Sequence, residues 1–276
     1  MSVVQGPALT FDAWLRLREP ADAAARASDL VHQVSARLPT ERVVRVHDLG
    51  CGSGSMARWL APRLPGPQRW VLHDRDSDLL ALAADHAPVR AADGAPVRVK
   101  TRCGDITRLS DDELTGADLV TASALLDMFT ADELDRFVAT CTDAGCPVLV
   151  TLSVNGQVRL DPEQPLDAAL GDAFNAHQRR VTPSGRLLGP DAVGAAVAAF
   201  TARGHHVEVR PSPWLLGPAD SDLVTEWFRG WVGAATEQRP ELASDVTPYA
   251  ERRMAELAAG QLSVTVGHDD LLAQPA

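Results

Sequence analysis

A doubly wound α/β protein with a largely parallel sheet is the fold class this sequence predicts, on three observations. Short apolar runs alternate with stretches of helical periodicity along residues 43 to 154. The first apolar run ends in a turn with glycine at every second position, Gly50, Gly52 and Gly54. Acids then recur where successive strands end, at Asp48, Asp74 and Asp105. Strands that alternate with helices pair in parallel beneath helical layers, and the ligand crevice of such a sheet lies at the strands' carboxyl ends.

In chain order, residues 8 to 38 carry apolar positions at helical spacing, including Leu9, Trp14, Leu17, Leu30, Val31 and Val34. Two helices are expected there, with Pro20 as a start or break and Pro39 as the stop. Arg16, Arg18 and Arg26 are read as solvated in preference to partners of the strand-end carboxylates. Val43 to Val46 forms the first strand, and a helix follows from Ser55 to Leu64. Glycine in the intervening turn lets the backbone take positive φ and approach a ligand closely. Arg69 to Leu72 is the second strand, and Ser77 to His86 a helix for which Asp76 is the better cap. Val97 to Thr101 and Ala117 to Ala122 are the third and fourth strands, followed by a helix from Ala131 to Cys141. Pro147 to Val154 is continuously apolar, as a strand covered on both faces requires.

Beyond Val154 the pattern loosens. Asn155 to Gly189 is long and rich in Pro, Asp and Gly, with a short helix expected at Ala173 to Arg180. A connection of that length in a compact fold points to a lid or binding segment. Asp191 to Arg203 reads as a helix, His205 to Arg210 as a strand, residues 218 to 259 as two helices separated at Pro240, and Leu262 to Val266 as a last strand.

The 276 residues suffice for a substantial core, and 45% hydrophobic with 23% charged residues is a globular composition. A net charge of −11 argues against general nucleic-acid binding, which needs a basic face. Cys51, Cys103, Cys141 and Cys146 show neither CxxC spacing nor a nearby histidine pair, so no metal site is expected. No leader pattern or long apolar run is present, and the expectation is a cytoplasmic protein without a membrane span. Oligomeric state is not legible.

The segments HDLGCGSGS, LHDRD, CGDI and ADLVTASALLD together resemble the class I S-adenosylmethionine-dependent methyltransferases over about residues 40 to 155. The glycine spacing GxGxG, preceded by Asp48, separates this pattern from dinucleotide folds, which use GxGxxG and would set that acid against a pyrophosphate. The resemblance implies a Rossmann-like seven-stranded sheet, six strands parallel and one antiparallel edge strand, with helices on both faces. It further implies S-adenosyl-L-methionine as cofactor and S-adenosyl-L-homocysteine as product. Asp48, Gly50, Cys51, Gly52 and Gly54 would line the methionine end, Asp74 with Arg75 the ribose, Asp105 with Ile106 the adenine, and the backbone near Ala122 and Ser123 the amino-acid end. Residues 1–40 would cover the cofactor site, residues 41–276 form the methyltransferase domain, and insertions at about 155–189 and 218–259 would cap the substrate.

An activated methyl group asks the protein chiefly for alignment and exclusion of water. Where the acceptor loses a proton, a general base helps, and the candidates are Asp127 and His177. Trp214, Trp227, Phe228 and Trp231 are equally readable as a substrate wall or as core. No Asn/Asp-Pro-Pro-Tyr run follows the fourth strand, and Cys146-Pro147 reverses the Pro-Cys order of pyrimidine C5 enzymes. By elimination the acceptor is a small molecule. A cofactor-binding regulatory or scaffold protein and an RNA methyltransferase are the alternatives.

Overall fold

A computed structural model of the chain describes residues 9–109 and 113–276. The first eight residues of the 1–40 unit lie outside the described residues. Helices α1 (Phe11–Ala25) and α2 (Ser28–Ser35) precede β1 (Val44–Leu49), α3 (Ser55–Leu60), β2 (Gln68–Asp74), α4 (Ser77–Asp85) and β3 (Val97–Cys103). Then come β4 (Leu119–Ser123), α5 (Ala131–Asp143), β5 (Val148–Asp161), α6 (Leu166–Gln178) and a small hairpin of β6 (Val181–Thr182) and β7 (Gly185–Arg186). The chain closes with α7 (Ala192–Ala202), β8 (His205–Pro211), β9 (Trp214–Leu216), α8 (Ser221–Gln238), α9 (Ala243–Ala258) and β10 (Ser263–Pro275).

The main sheet runs β3-β2-β1-β4-β5-β10-β8, with β9 also paired to β10. Strands β1 to β5 pair in parallel, and β10 is antiparallel to β5, β8 and β9. Two details differ from the expectation. The sheet has eight strands instead of seven, because β8 and β9 flank successive lengths of one long β10. The antiparallel strand is also second from the edge, with β8 outside it.

Strand β5 continues to Asp161, seven residues past the apolar run, and pairs there with Ser263–Val266 of β10. That extension and α6, which begins earlier than expected, occupy most of the segment read as a long connection. Pro20 lies inside α1 and does not break it. The helix stops at Ala25, where the Ala27 N–H turns to the Asp270 carboxylate at 2.8 Å.

Leu30, Val34, Leu60, Trp70 and Leu72 lie in the core on one face of the sheet, with α2, α3 and α4. Phe137, Val138, Ala196 and Phe200 fill the other face, from α5 and α7. A third core gathers Leu170, Trp214, Trp227, Phe228, Trp231 and Tyr249 around the β5–β10 extension. The tryptophan set is therefore core packing and not a substrate wall.

Candidate active site

Strand β1 sits between β2 and β4, so the connections leave it in opposite directions, and a crevice opens at its carboxyl end. There the chain forms a cavity of about 780 Å3. Gly50, Gly52 and Gly54 have φ of 68°, 52° and 86°, a region L side chains rarely adopt, and a Cβ on Gly50 would stand 3.0 Å from Leu125. Those glycines carry the turn past the ends of β1 and β2. Gly52 donates its N–H to Asp74 Oδ2 at 2.8 Å, and Cys51 N–H meets the His73 carbonyl at 2.9 Å.

Asp74 accepts a second N–H, from Asp76, on Oδ1 at 3.0 Å. Its two backbone bonds fix the carboxylate at the end of β2 and leave a lone pair on each oxygen for a diol. Asp76 caps α4, accepting from Asp78 N–H at 2.9 Å and Leu79 N–H at 3.1 Å. Asp105 accepts from Thr107 N–H at 3.0 Å and from its hydroxyl at 2.8 Å, which aims the carboxylate beside Ile106 at the cavity.

Asp48 is fully buried beneath the glycine turn. Thr121 donates to its Oδ1 at 2.7 Å, whereas Oδ2 has no partner. Burial raises its pKa to about 7, against the Thr121 hydrogen bond and the attraction of Arg26. An orphaned buried acceptor in a cavity wall fits the ammonium of a zwitterion, so these donors and acceptors suit the methionine cofactor.

The structure brings Asp48, Gly50, Cys51 and Gly52 to one cavity with Asp74, Arg75, Asp105, Ile106 and Ser123. Asp127 joins them from the turn after β4, its carboxyl pKa raised by burial against the pull of Arg18 and Arg180. Cys51 is buried there, and burial pushes its thiol up, so it serves as a wall and not a nucleophile. Three candidates are placed elsewhere. Ala122 is fully buried in the core, and the lining begins one residue later with Ser123 and Ala124. Gly54 starts α3 and packs against Ala83 instead of facing the cavity. His177 lies on α6 with Nε2 3.3 Å from Glu237 Oε2, outside the cavity lining, because the helical face that carries it turns towards α8.

Sequence reasoning also missed several contributors. Phe11, Leu15 and Arg18 line the cavity from α1, and Thr182, Pro183 and Ser184 from the β6–β7 hairpin. Arg18 is not a solvated residue: it pairs with Asp22 at 2.9 Å and stacks 5.0 Å from the Trp214 ring. Arg26 is only 4% exposed. The amphipathic pattern of α1 gave a signal for its buried face, but nothing local marked the arginines. No residue of 218–259 lines this cavity, whose walls outside the sheet ends come from α1 and the β6–β7 hairpin among others. Ala124 (φ 51°), just past β4, and Leu152 (φ 56°), inside β5, hold left-handed backbone, a strain that the surrounding hydrogen bonds must maintain.

Fold and site together define a doubly wound α/β domain with an acid-lined cavity at the carboxyl end of its parallel strands. Residues 46–146 match the family described as methyltransferase domain. No curated protein sequence matches the chain. Among solved structures, mycolic acid cyclopropane synthase CmaA1, in complex with SAH and CTAB, aligns with 95% of this chain and 94% of its own at 14% identity and a TM-score of 0.52. The cyclopropane synthase MmaA2 from Mycobacterium tuberculosis aligns with 96% of this chain and 95% of its own, at 14% identity and a TM-score of 0.50. The YcgJ protein from Bacillus subtilis gives 91% and 100%, at 13% identity and a TM-score of 0.50. At such identities the likeness speaks for the fold alone. Among the described residues no helix is long and apolar enough to cross a membrane.

Proposed function

We propose that this chain transfers the methyl group of S-adenosylmethionine to a small-molecule acceptor held in the outer half of the same cavity, with Asp127 taking the acceptor's proton. The observation that carries the reading is the continuity of the cavity. Beyond the strand-end acids it runs on past Ser123 and Leu125 to Asp127, Phe129 and Leu187, closed on one side by α1 and on the other by the hairpin tip. A volume of about 780 Å3 suits a nucleoside cofactor and a compact second molecule.

The bound cofactor supplies a methyl group already activated by its sulfonium. Asp74 and Asp105 would hold the ribose diol and the adenine amino group, and Asp48 the ammonium. Phe11, Leu15 and Phe129 exclude water and align the acceptor. Asp127 makes no side-chain hydrogen bond to another described residue, so its carboxylate is free to accept a hydroxyl or ammonium proton, and burial raises its basicity. His177, turned away, has no part in this.

Titration with S-adenosylmethionine should give micromolar binding, and cofactor with a metabolite extract should yield S-adenosylhomocysteine that neither yields alone. Absence of binding at ~1 mM cofactor would sink the reading. Asp127→Asn should lower kcat by roughly 10²-fold or more with cofactor affinity preserved. A kcat within twofold would remove Asp127 from the reaction.

A further inference from the structure

Arg18, Arg75 and Arg180 line the cavity, and they are not equally engaged. Arg18 is taken by Asp22 at 2.9 Å, and Arg75 follows β2, where its charge reaches Asp105. Arg180, just past the end of α6, is exposed. Its guanidinium bonds only the His177 carbonyl, from Nη1 at 3.3 Å, and pairs with no carboxylate among the described residues.

Backbone bonds fix where Arg180 stands. Its N–H donates to the His177 carbonyl at 3.0 Å, and its carbonyl accepts the Leu187 N–H at 3.1 Å across the base of the β6–β7 hairpin. The hairpin is fastened in turn to the segment after β4, because Leu188 N–H donates to the Phe129 carbonyl at 2.8 Å and Leu187 bridges Thr130. Asp127 stands in that segment, two residues before Phe129. Burial raises the Asp127 pKa, and the attraction of Arg18 and Arg180 opposes it, yet Asp127 and Arg180 form no ion pair with each other. Two opposite charges held in one frame, neither neutralised by the other, fit a ligand that offers an acceptor to the guanidinium and a proton to the carboxylate. Phe11 and Met128 line the same cavity while 63% and 51% exposed, apolar surface that a nonpolar body would take out of water.

We propose that the acceptor is an apolar carboxylic acid that also carries a hydroxyl or an amine: Arg180 seats the carboxylate, Asp127 faces the group that receives the methyl, and Phe11 and Met128 cover the body between them. This inference rests on the transfer reading of the cavity and adds the class of molecule it takes. A lone pair on the acceptor's oxygen or nitrogen bonds the methyl carbon, the carbon–sulfur pair stays on sulfur, and the acceptor's proton passes to Asp127. A guanidinium gives a carboxylate two parallel charged donors, a pairing that a neutral amide cannot match.

The test supplies the full chain with isotope-labelled S-adenosylmethionine and a metabolite extract. The labelled product, identified by accurate mass and fragmentation, should carry a free carboxyl group. A product without one, or with a phosphate or sulfate ester as its only acid, would overturn the proposal. The unmethylated parent of that product and its carboxamide are then compared as acceptors. The wild-type chain should favour the acid by about tenfold or more, chiefly through KM. In Arg180→Met that preference should fall to within about twofold with cofactor affinity preserved, and Arg180→Lys should keep part of it. An Arg180→Met chain that retains the full preference overturns the role of Arg180. The double variant Phe11→Ser/Met128→Ser should raise KM for acid and amide alike, and an unchanged KM overturns the apolar half of the assignment. A wild-type chain that binds the cofactor but yields no labelled product overturns the transfer reading, and this inference with it.

Discussion

Two buried arginines, at opposite ends of the molecule, are held in different ways. Arg253 on α9 is fully buried: Nη2 meets both oxygens of Asp167, at 2.7 and 2.5 Å, and Nη1 meets Glu256 at 2.8 Å and the Pro162 carbonyl at 2.6 Å, which leaves Nε alone without a partner. Tyr249 adds its hydroxyl to Asp167 at 2.6 Å. Burial there lowers the guanidinium pKa, but the bonds to Asp167, Tyr249 and Glu256 outweigh it and raise it overall. Arg26 bonds only two hydroxyls and leaves two nitrogens idle, and burial wins. Charge-assisted bonds on both terminal nitrogens hold Arg253, whereas only neutral hydroxyls on one terminal nitrogen hold Arg26.

The contrast can be broken most directly at the Arg253 end. Arg253→Met strands Asp167 among packed helices, and unfolding by denaturant should show a loss of roughly 3–5 kcal/mol, with cofactor affinity little changed. A loss below ~1 kcal/mol would show that the cluster is not what fastens α9 to α6.

A smaller effect sharpens the other end. Asp48 has a folded-state pKa raised from 3.8 to about 7, so between those values the folded chain holds a proton that the unfolded chain has released. Its contribution therefore lowers stability as pH rises through that window, and the penalty is full above pH 7. Relative to wild type, Asp48→Asn should gain stability from pH 4 to pH 7, by at most about 1.4 kcal/mol per pH unit. A wild-type-minus-variant difference that stays flat with pH would show that Asp48 is ionised throughout. The smallest effect is expected at His177, whose contact is a largely exposed Glu237 carboxylate. His177→Ala should leave turnover within twofold and stability within ~1 kcal/mol. A tenfold fall in kcat would return it to the mechanism.

Much of the cofactor half was legible because its signals are local. Strand, turn and helix follow within a few residues, and positive φ demands glycine at Gly50, Gly52 and Gly54 whatever lies around them. Asp74 and Asp105 stood out because they fall where apolar runs end. The errors came where contacts span the chain. His177 stood as a general-base candidate on a short helix from Ala173, yet α6 begins at Leu166 and turns that face to α8. Arg26 looked like a surface residue because its partners are Ser55 and Ser123. The last strand was read only to Val266, since the run His268, Asp269, Asp270 hides a strand whose polar groups are buried in hydrogen bonds.

By itself the sequence determined the α/β class, the succession of strands and helices from β1 to the start of β5 and the acids at the strand ends, because periodicity, glycine conformation and strand ends are written in neighbouring residues. Tertiary structure alone decided that β10 inserts between β5 and β8, that α1 and the β6–β7 hairpin wall the cavity, and that Asp270 reaches across to the Ala27 N–H after α1. Those outcomes turn on which distant polar groups find one another once water is excluded, and no window of local sequence carries that information.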